Sequence, residues 1–146
     1  MIYRLMKQQD DEDIPHILSI YKSPSISPFI SINETNYWKY VTTSKNIYFY
    51  KVYDDNYLIA TIHCELFDRI LYMDIVVFPE YQRKGFATKI IADIQEGKLG
   101  FDFEKIRVSI DEKNIASLKL FEKMGFFCVA QNKELLEYEY VSRTNC

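Results

Sequence analysis

Hydrophobic and polar residues alternate most strictly over Ile70–Val77. Leu71, Met73, Ile75 and Val77 fall on one side there, and Tyr72, Asp74 and Val76 on the other. A period of two predicts a strand, and Pro79 ends it. Lys105–Ile110 repeats the pattern, with Ile106, Val108 and Ile110 set against Arg107 and Ser109. Between these strands the period changes. Phe86, Ala87, Ile90, Ile91 and Ile94 form one stripe at helical spacing, which predicts a helix over Gly85–Gln95. A strand–helix–strand unit needs a crossover, so the two strands are expected to be parallel neighbours.

The flanks read in the same way. Ile2–Leu5 is a short strand. Ile14, Ile17, Leu18 and Tyr21 predict a helix that Asp11 or Asp13 can cap, with Pro15 tolerated in its first turn. Ser23–Pro28 reads as a loop, and Asn33–Val41 as a second helix with Trp38 inward and Asn33 as a candidate cap. Ile47–Tyr53 and Leu58–Glu65 flank Asp54-Asp55-Asn56, which is turn chemistry, so they predict a hairpin. Asn114–Met124 is a helix closed by Gly125. Phe126–Ala130 and Leu135–Val141 make a last hairpin. The expected fold is therefore α/β: a mixed, mostly antiparallel sheet with a parallel strand–helix–strand core and helices on both faces.

Length and composition narrow the class. A chain of 146 residues is expected to form one domain over 1–146. Apolar residues make up 48% and aromatic residues 16%, which is globular rather than disordered. Net charge is −3 with the signs mixed along the chain, so nucleic acid is not expected as a partner. Mild acidity slightly favours a cationic one. Cys64, Cys128 and Cys146 form no C-x-x-C pair, and no metal site is expected. Cys64 and Cys128 sit in apolar runs and read as core thiols. No apolar run approaches the ~20 residues of a membrane span. The opening MIYRLMKQQDDED lacks an apolar signal region. A cytoplasmic protein without membrane contact is expected.

The chemistry-bearing segment is Val77-Phe78-Pro79-Glu80-Tyr81-Gln82-Arg83-Lys84-Gly85-Phe86-Ala87. A strand stops, a tight turn follows, and a helix opens at a glycine. The first amides of a helix lack intrahelical partners and carry the positive end of its dipole. A turn leading into that end is a cradle for phosphate or diphosphate. Gly85 and Ala87 keep the approach open, and Arg83 and Lys84 add charge at the rim. The spacing matches neither a P-loop nor a dinucleotide fingerprint.

Gln82-Arg83-Lys84-Gly85-Phe86-Ala87 resembles the Q/R-x-x-G-x-G/A motif of the GNAT N-acetyltransferase superfamily. One helix and one strand later, Asn114 opens a helix that ends in Phe121 and Gly125-Phe126, again similar to the family's pattern. The likeness is specific from about Leu71 to Phe126. It implies an acetyl-CoA-dependent N-acetyltransferase acting on an amine, small-molecule or protein, with no metal.

Residue by residue, the resemblance implies the following. Backbone amides from Gln82 to Ala87, including those of Phe86 and the charged Arg83 and Lys84, would hold the CoA diphosphate. Ile75, Val76 and Val77 would bind the pantetheine arm through the strand edge. The N–H of Val76 or Val77 would stabilise the oxyanion. Asn114 would reach the pantetheine, although an N-cap alone also explains an Asn there. Many members carry Tyr where this chain has Phe121, and that hydroxyl is their proposed general acid. Phe121 has none, so it would only pack against the pantetheine or lie in the core. An attacking amine must be neutral, and a base or water chain has to take its proton. Asp74 is the first choice, with Glu65, Asp68 and His63 behind it, and Tyr72 is a candidate for lining the acceptor groove. A non-catalytic acyl-CoA-binding regulatory module is the competing reading, kept alive by Phe121. An interaction domain that retained only the fold is a third. The acceptor is left open, as is oligomeric state, with a homodimer as one candidate.

Overall fold

The structure, a computed structural model, describes residues 1–30, 32 and 36–143. In chain order the elements are β1 (Ile2–Leu5), α1 (Ile14–Tyr21), α2 (Tyr37–Thr43), β2 (Ile47–Asp54), β3 (Tyr57–Phe67), β4 (Ile70–Val77), a 3-10 turn (Pro79–Tyr81), α3 (Phe86–Gln95), β5 (Lys105–Asp111), α4 (Ile115–Lys123), β6 (Phe127–Asn132) and β7 (Leu135–Val141). The strands hydrogen-bond in the order β1-β2-β3-β4-β5-β7-β6. β4 and β5 are parallel, as the crossover requires. The proposed cap Asn33 lies outside the described residues, and the second helix starts four residues later, at Tyr37. By contact the chain divides into two compact units: Met1–Cys64 with Ile75–Lys84, and Glu65–Asp74 with Gly85–Cys146.

The first unit packs α1 and α2 over its strands. Ile17 and Tyr21 from α1, Trp38 and Val41 from α2, and Phe49, Val76 and Phe78 from the strands and their ends share one core with Met6 and Ile26. Trp38 meets Phe49 edge-on at 5.2 Å between ring centroids. Asp55 and Asn56 both take positive φ, 49° and 68°, which is the two-residue turn whose twist suits a β2–β3 hairpin. Asp13 occupies the α1 cap position without a side-chain capping bond. Its carboxylate instead accepts from Lys51 Nζ and Tyr53 Oη, both at 2.8 Å. Asp11 takes over the local role, its Oδ1 accepting the Asp13 N–H at 2.9 Å.

The second unit is a β5–β7–β6 ladder joined to the start of β4, with α3 and α4. Its buried side chains include Leu71, Met73, Ile106, Val108, Ile110 and Tyr138 from strands, and Ile90, Ile91, Ile94 and Phe121 from helices. Tyr138 Oη donates to Glu122 at 2.9 Å, tying α4 to β7. α4 ends in a Schellman motif. The Phe126 N–H donates to the Phe121 carbonyl at 3.0 Å, the Gly125 N–H to Glu122 at 3.1 Å, and the Phe121 and Phe126 rings meet at 5.0 Å. Gly125 has φ 89°, the left-handed conformation this motif needs.

One expectation is corrected. Cys128 is exposed, not a core thiol, because β6 is an edge strand with all six residues exposed, whereas Cys64 is fully buried. Burial along β4 changes toward its end. Leu71 and Met73 are buried, Asp74 is exposed, and the next buried residue is Val76, not Ile75 or Val77. Val76 falls on the alternate positions from Leu71 and Met73 and is buried in the core shared with α1 and α2, so a regular strand accounts for it.

Candidate active site

The chain leaving β4 is anchored by Phe78. Its side chain is buried and its N–H donates to the Ile59 carbonyl at 2.8 Å. Pro79 then opens a 3-10 turn closed by Tyr81 N–H to Phe78 O at 2.8 Å and Gln82 N–H to Pro79 O at 3.3 Å. From there the sign of φ alternates. Gln82 has φ −71°, Arg83 +61° and Gly85 +85°, while Lys84 stays negative and Phe86 begins α3. Successive residues of opposite hand turn their N–H groups toward one concave side, which is an anion-binding nest.

The hydrogen bonds agree with that shape. α3 makes its first intrahelical bond from the Lys89 N–H to the Gly85 carbonyl, at 3.1 Å. Among the described residues, the N–H groups of Arg83, Lys84 and Gly85 have no protein acceptor. A β-carbon built at Gly85 would meet nothing within 4 Å. Glycine is required there by its φ of 85°, not by crowding from the protein. Arg83, Lys84 and Gly85 are all exposed. Lys84 Nζ lies 5.9 Å from the centre of the Tyr81 ring, so Tyr81 holds one of the two cations beside the turn.

The other residues predicted from sequence fall as follows. Ile75 and Val77 are half-buried and Val76 is buried. Gln82 returns to the strand end, its Nε2 donating to the Val77 carbonyl at 3.0 Å. Ala87 and Phe86 are half-buried in the first turn of α3. The β4–β5 register runs Ile70↔Lys105, Leu71↔Ile106 and Tyr72↔Arg107, at the start of both strands and before Ile75–Val77. Asn114 is spent on the α4 cap, its Oδ1 accepting from the Ser117 N–H at 3.3 Å. Phe121 is only 8% exposed and packs on Phe126.

Of the candidate bases, Asp74 is exposed on β4. Asp68 lies in the β3–β4 turn with φ 50°, next to Arg69 at 61°, so the turn explains its presence. His63 Nδ1 is 2.6 Å from Tyr37 Oη, and the ring lies beside Tyr37 and Tyr40. That is a satisfied, half-buried histidine. Tyr72 lies under the Arg107 guanidinium, 6.0 Å from ring centre to Cζ. Two features escaped the sequence reading: the Gln82–Val77 clasp and the Tyr81–Lys84 contact. The available signal was Pro79 two residues past the strand end, since a 3-10 turn starting there brings the next residues back beside the strand end.

The sequence profile of the acetyltransferase (GNAT) family matches residues 10–126. The chain belongs to the GNAT acetyltransferase family. No curated protein matches it by sequence. Solved structures share the GNAT fold over nearly the whole chain. A spermidine N-acetyltransferase SpeG chimera of Vibrio cholerae and hSSAT superimposes with a TM-score of 0.77 at 19% identity, covering 99% of this chain and 98% of that one. A domain from Methanocaldococcus jannaschii gives 0.78 at 17%, covering 96% and 97%. A GNAT-family acetyltransferase from Streptococcus pneumoniae gives 0.70 at 12%, covering 96% and 98%. GNAT enzymes use acetyl-CoA as cosubstrate. The residues at the α3 entrance fit it: open amide groups, two cations and free space above Gly85 are what a diphosphate needs. Among the described residues no helix is long and apolar enough to cross a membrane, and no cluster of His, Cys, Asp and Glu could hold a metal ion.

Proposed function

We propose that this protein is an acetyl-CoA-dependent N-acetyltransferase whose acceptor is a primary amine. The observation that carries the reading is the turn before α3, where φ alternates in sign and the amides of Arg83, Lys84 and Gly85 stand open. These groups, with Phe86 and Ala87 behind them, would hold the CoA diphosphate. Arg83 and Lys84 would supply countercharge, and Gln82 would enter from the strand side. Ile75, Val76 and Val77 would bind the pantetheine arm through their backbone, as an added strand does. The thioester supplies an activated acetyl group.

On this reading the Val77 N–H, or that of Val76, is the donor for charge developing on the acetyl oxygen. Asp74, the exposed carboxylate of β4, would take the amine proton through water. The departing sulfur needs no acid from position 121. A thiol that ionises at about 8.5 leaves tolerably as thiolate, and Phe121 acts as an apolar wall. Asn114 serves α4 first and would reach the pantetheine with its remaining hydrogen-bonding capacity. Spermidine N-acetyltransferases among the fold relatives make polyamines sensible first members of an acceptor panel.

The test is calorimetric titration with CoA, followed by a thiol-release assay over a panel of amines. Micromolar or tighter CoA binding is expected, with thiol release for at least one amine. Gly85→Leu should lose binding, because a β-carbon is strained at φ 85° and the side chain would stand in the open space over the turn. Wild-type protein that ignores CoA overturns the proposal. CoA binding without turnover on any amine would favour an acyl-CoA-binding regulatory module, the reading that Phe121 supports.

A further inference from the structure

We propose that the Gln82 side chain is a positioning residue, clasping the Val77 carbonyl so that the turn after it keeps the left-handed shape that opens its amides to diphosphate. The ligand in this statement rests on the proposed function; the clasp itself does not.

The strand end is a firm reference point. Phe78 is 1% exposed, and its N–H is bonded to Ile59. Gln82 is tied to this reference twice. Its backbone N–H reaches Pro79 O over a long 3.3 Å, and its side-chain Nε2 reaches Val77 O at 3.0 Å. The side chain thus spans the whole 3-10 turn and closes it onto the last residue of β4. Immediately beyond Gln82 the chain enters the conformation that needs support. Arg83 carries a β-carbon at φ 61°, and the next local backbone bond is the one from Lys89 to Gly85. Strained residues of this kind persist only where their surroundings over-determine them. Gln82 is the last fixed point before the strain, and the open amides begin one residue later.

Gln82 is exposed, so its hydrogen bond competes with water and adds little to global stability. Its effect belongs in the geometry of the turn and, through it, in affinity. This separates the proposal from two simpler ones. A merely structural residue would change the melting temperature and leave CoA affinity alone. A residue that only touches the ligand would leave the ligand-free turn unchanged.

The experiment compares Gln82→Met, which keeps length but has no donor, and Gln82→Arg, which restores an N–H donor of sufficient reach. The first readout is the Arg83 HN–Hα coupling by NMR, without ligand. The second is CoA affinity by calorimetry. Gln82→Met is expected to shift the Arg83 coupling away from its left-handed value and to weaken CoA by about three- to tenfold, the net worth of one hydrogen bond. Its melting temperature should fall by no more than about 5 °C. Gln82→Arg should return the coupling toward wild type. An unchanged free turn in Gln82→Met overturns the proposal, and so does unchanged CoA affinity in a wild type that binds CoA. A wild type that binds no CoA defeats the functional reading while the NMR comparison still decides the clasp.

Discussion

Arg83 holds φ 61° with a full side chain, a conformation that costs a residue bearing a β-carbon about 1 kcal/mol. Glycine would adopt it freely, yet glycine would also remove a cation from the rim of the turn. Arg83→Gly is therefore expected to move two measurements in opposite directions. Thermal stability should rise slightly or hold, by up to about 1 kcal/mol less the entropy glycine adds to the unfolded chain. CoA affinity should fall, and the deficit should shrink as salt is raised. Lys51 shows the same weighing of effects in the first unit. It is 8% exposed and bonds to both Asp11 and Asp13. Burial alone would push its pKa down, but these two carboxylates and Tyr53 hold it well above its ordinary value. Lys51→Met keeps the stem and removes the charge, leaving two carboxylates and a tyrosine hydroxyl without their cation. A loss of about 2 kcal/mol is expected, read from chemical denaturation.

At the scale of elements, the end of α4 is the most sharply specified. Gly125 sits at φ 89°, and a β-carbon there would lie 3.7 Å from the Tyr140 ring. Contact is ordinary at that distance, so strain and not collision sets the cost. Gly125→Ala should destabilise by about 1 kcal/mol, a drop of roughly 2–4 °C in melting temperature. The hairpin at the other end of the second unit behaves differently. β7 lies between β5 and β6 and buries Tyr138 and Glu139, while β6 is exposed throughout. The two strands are similarly apolar in sequence, so periodicity predicted the hairpin but not which arm faces β5. The pairing of Arg107 and Lys105 with Glu139 across the β5–β7 ladder settles it.

For the molecule as a whole, the ionisable networks set the response to acid. Glu139 is 5% exposed. Burial raises its pKa, but hydrogen bonds and charge from Arg107 and Lys105 outweigh that and leave it below its ordinary 4.5. Asp13 is likewise lowered from 3.8, with burial again opposed, here by Lys51 and Tyr53. A carboxylate whose pKa is depressed in the folded state contributes stability that is present above its unfolded value and is lost as pH falls through the folded one. Melting temperature should thus be flat on these groups' account from neutrality to about pH 5 and decline below pH 4.5. Glu139→Gln should flatten part of that decline. Ligand linkage gives a second whole-molecule prediction. CoA at a hundred times its dissociation constant should add about 2.7 kcal/mol, which raises the melting temperature of a chain this size by roughly 5–10 °C. Absence of any shift would argue against a CoA site in the native state.

The sequence by itself determined the elements and the family. Alternation located β4 and β5, because an extended chain shows its two faces at every second residue. Gly85 and Gly125 were legible because left-handed backbone excludes most side chains locally. The motif Gln82–Ala87 was legible because an anion cradle is built from consecutive residues. Only the tertiary structure decided the rest: that Asp13 turns to Lys51 instead of its own helix, that Asn114 and Phe121 are engaged within the second unit, that Cys128 lies on an edge, that Val76 is the buried residue at the end of β4, and that Gln82 reaches back to Val77. Backbone preference and periodicity act over a few neighbouring residues. Which of several possible partners a side chain meets depends on where the fold brings the rest of the chain.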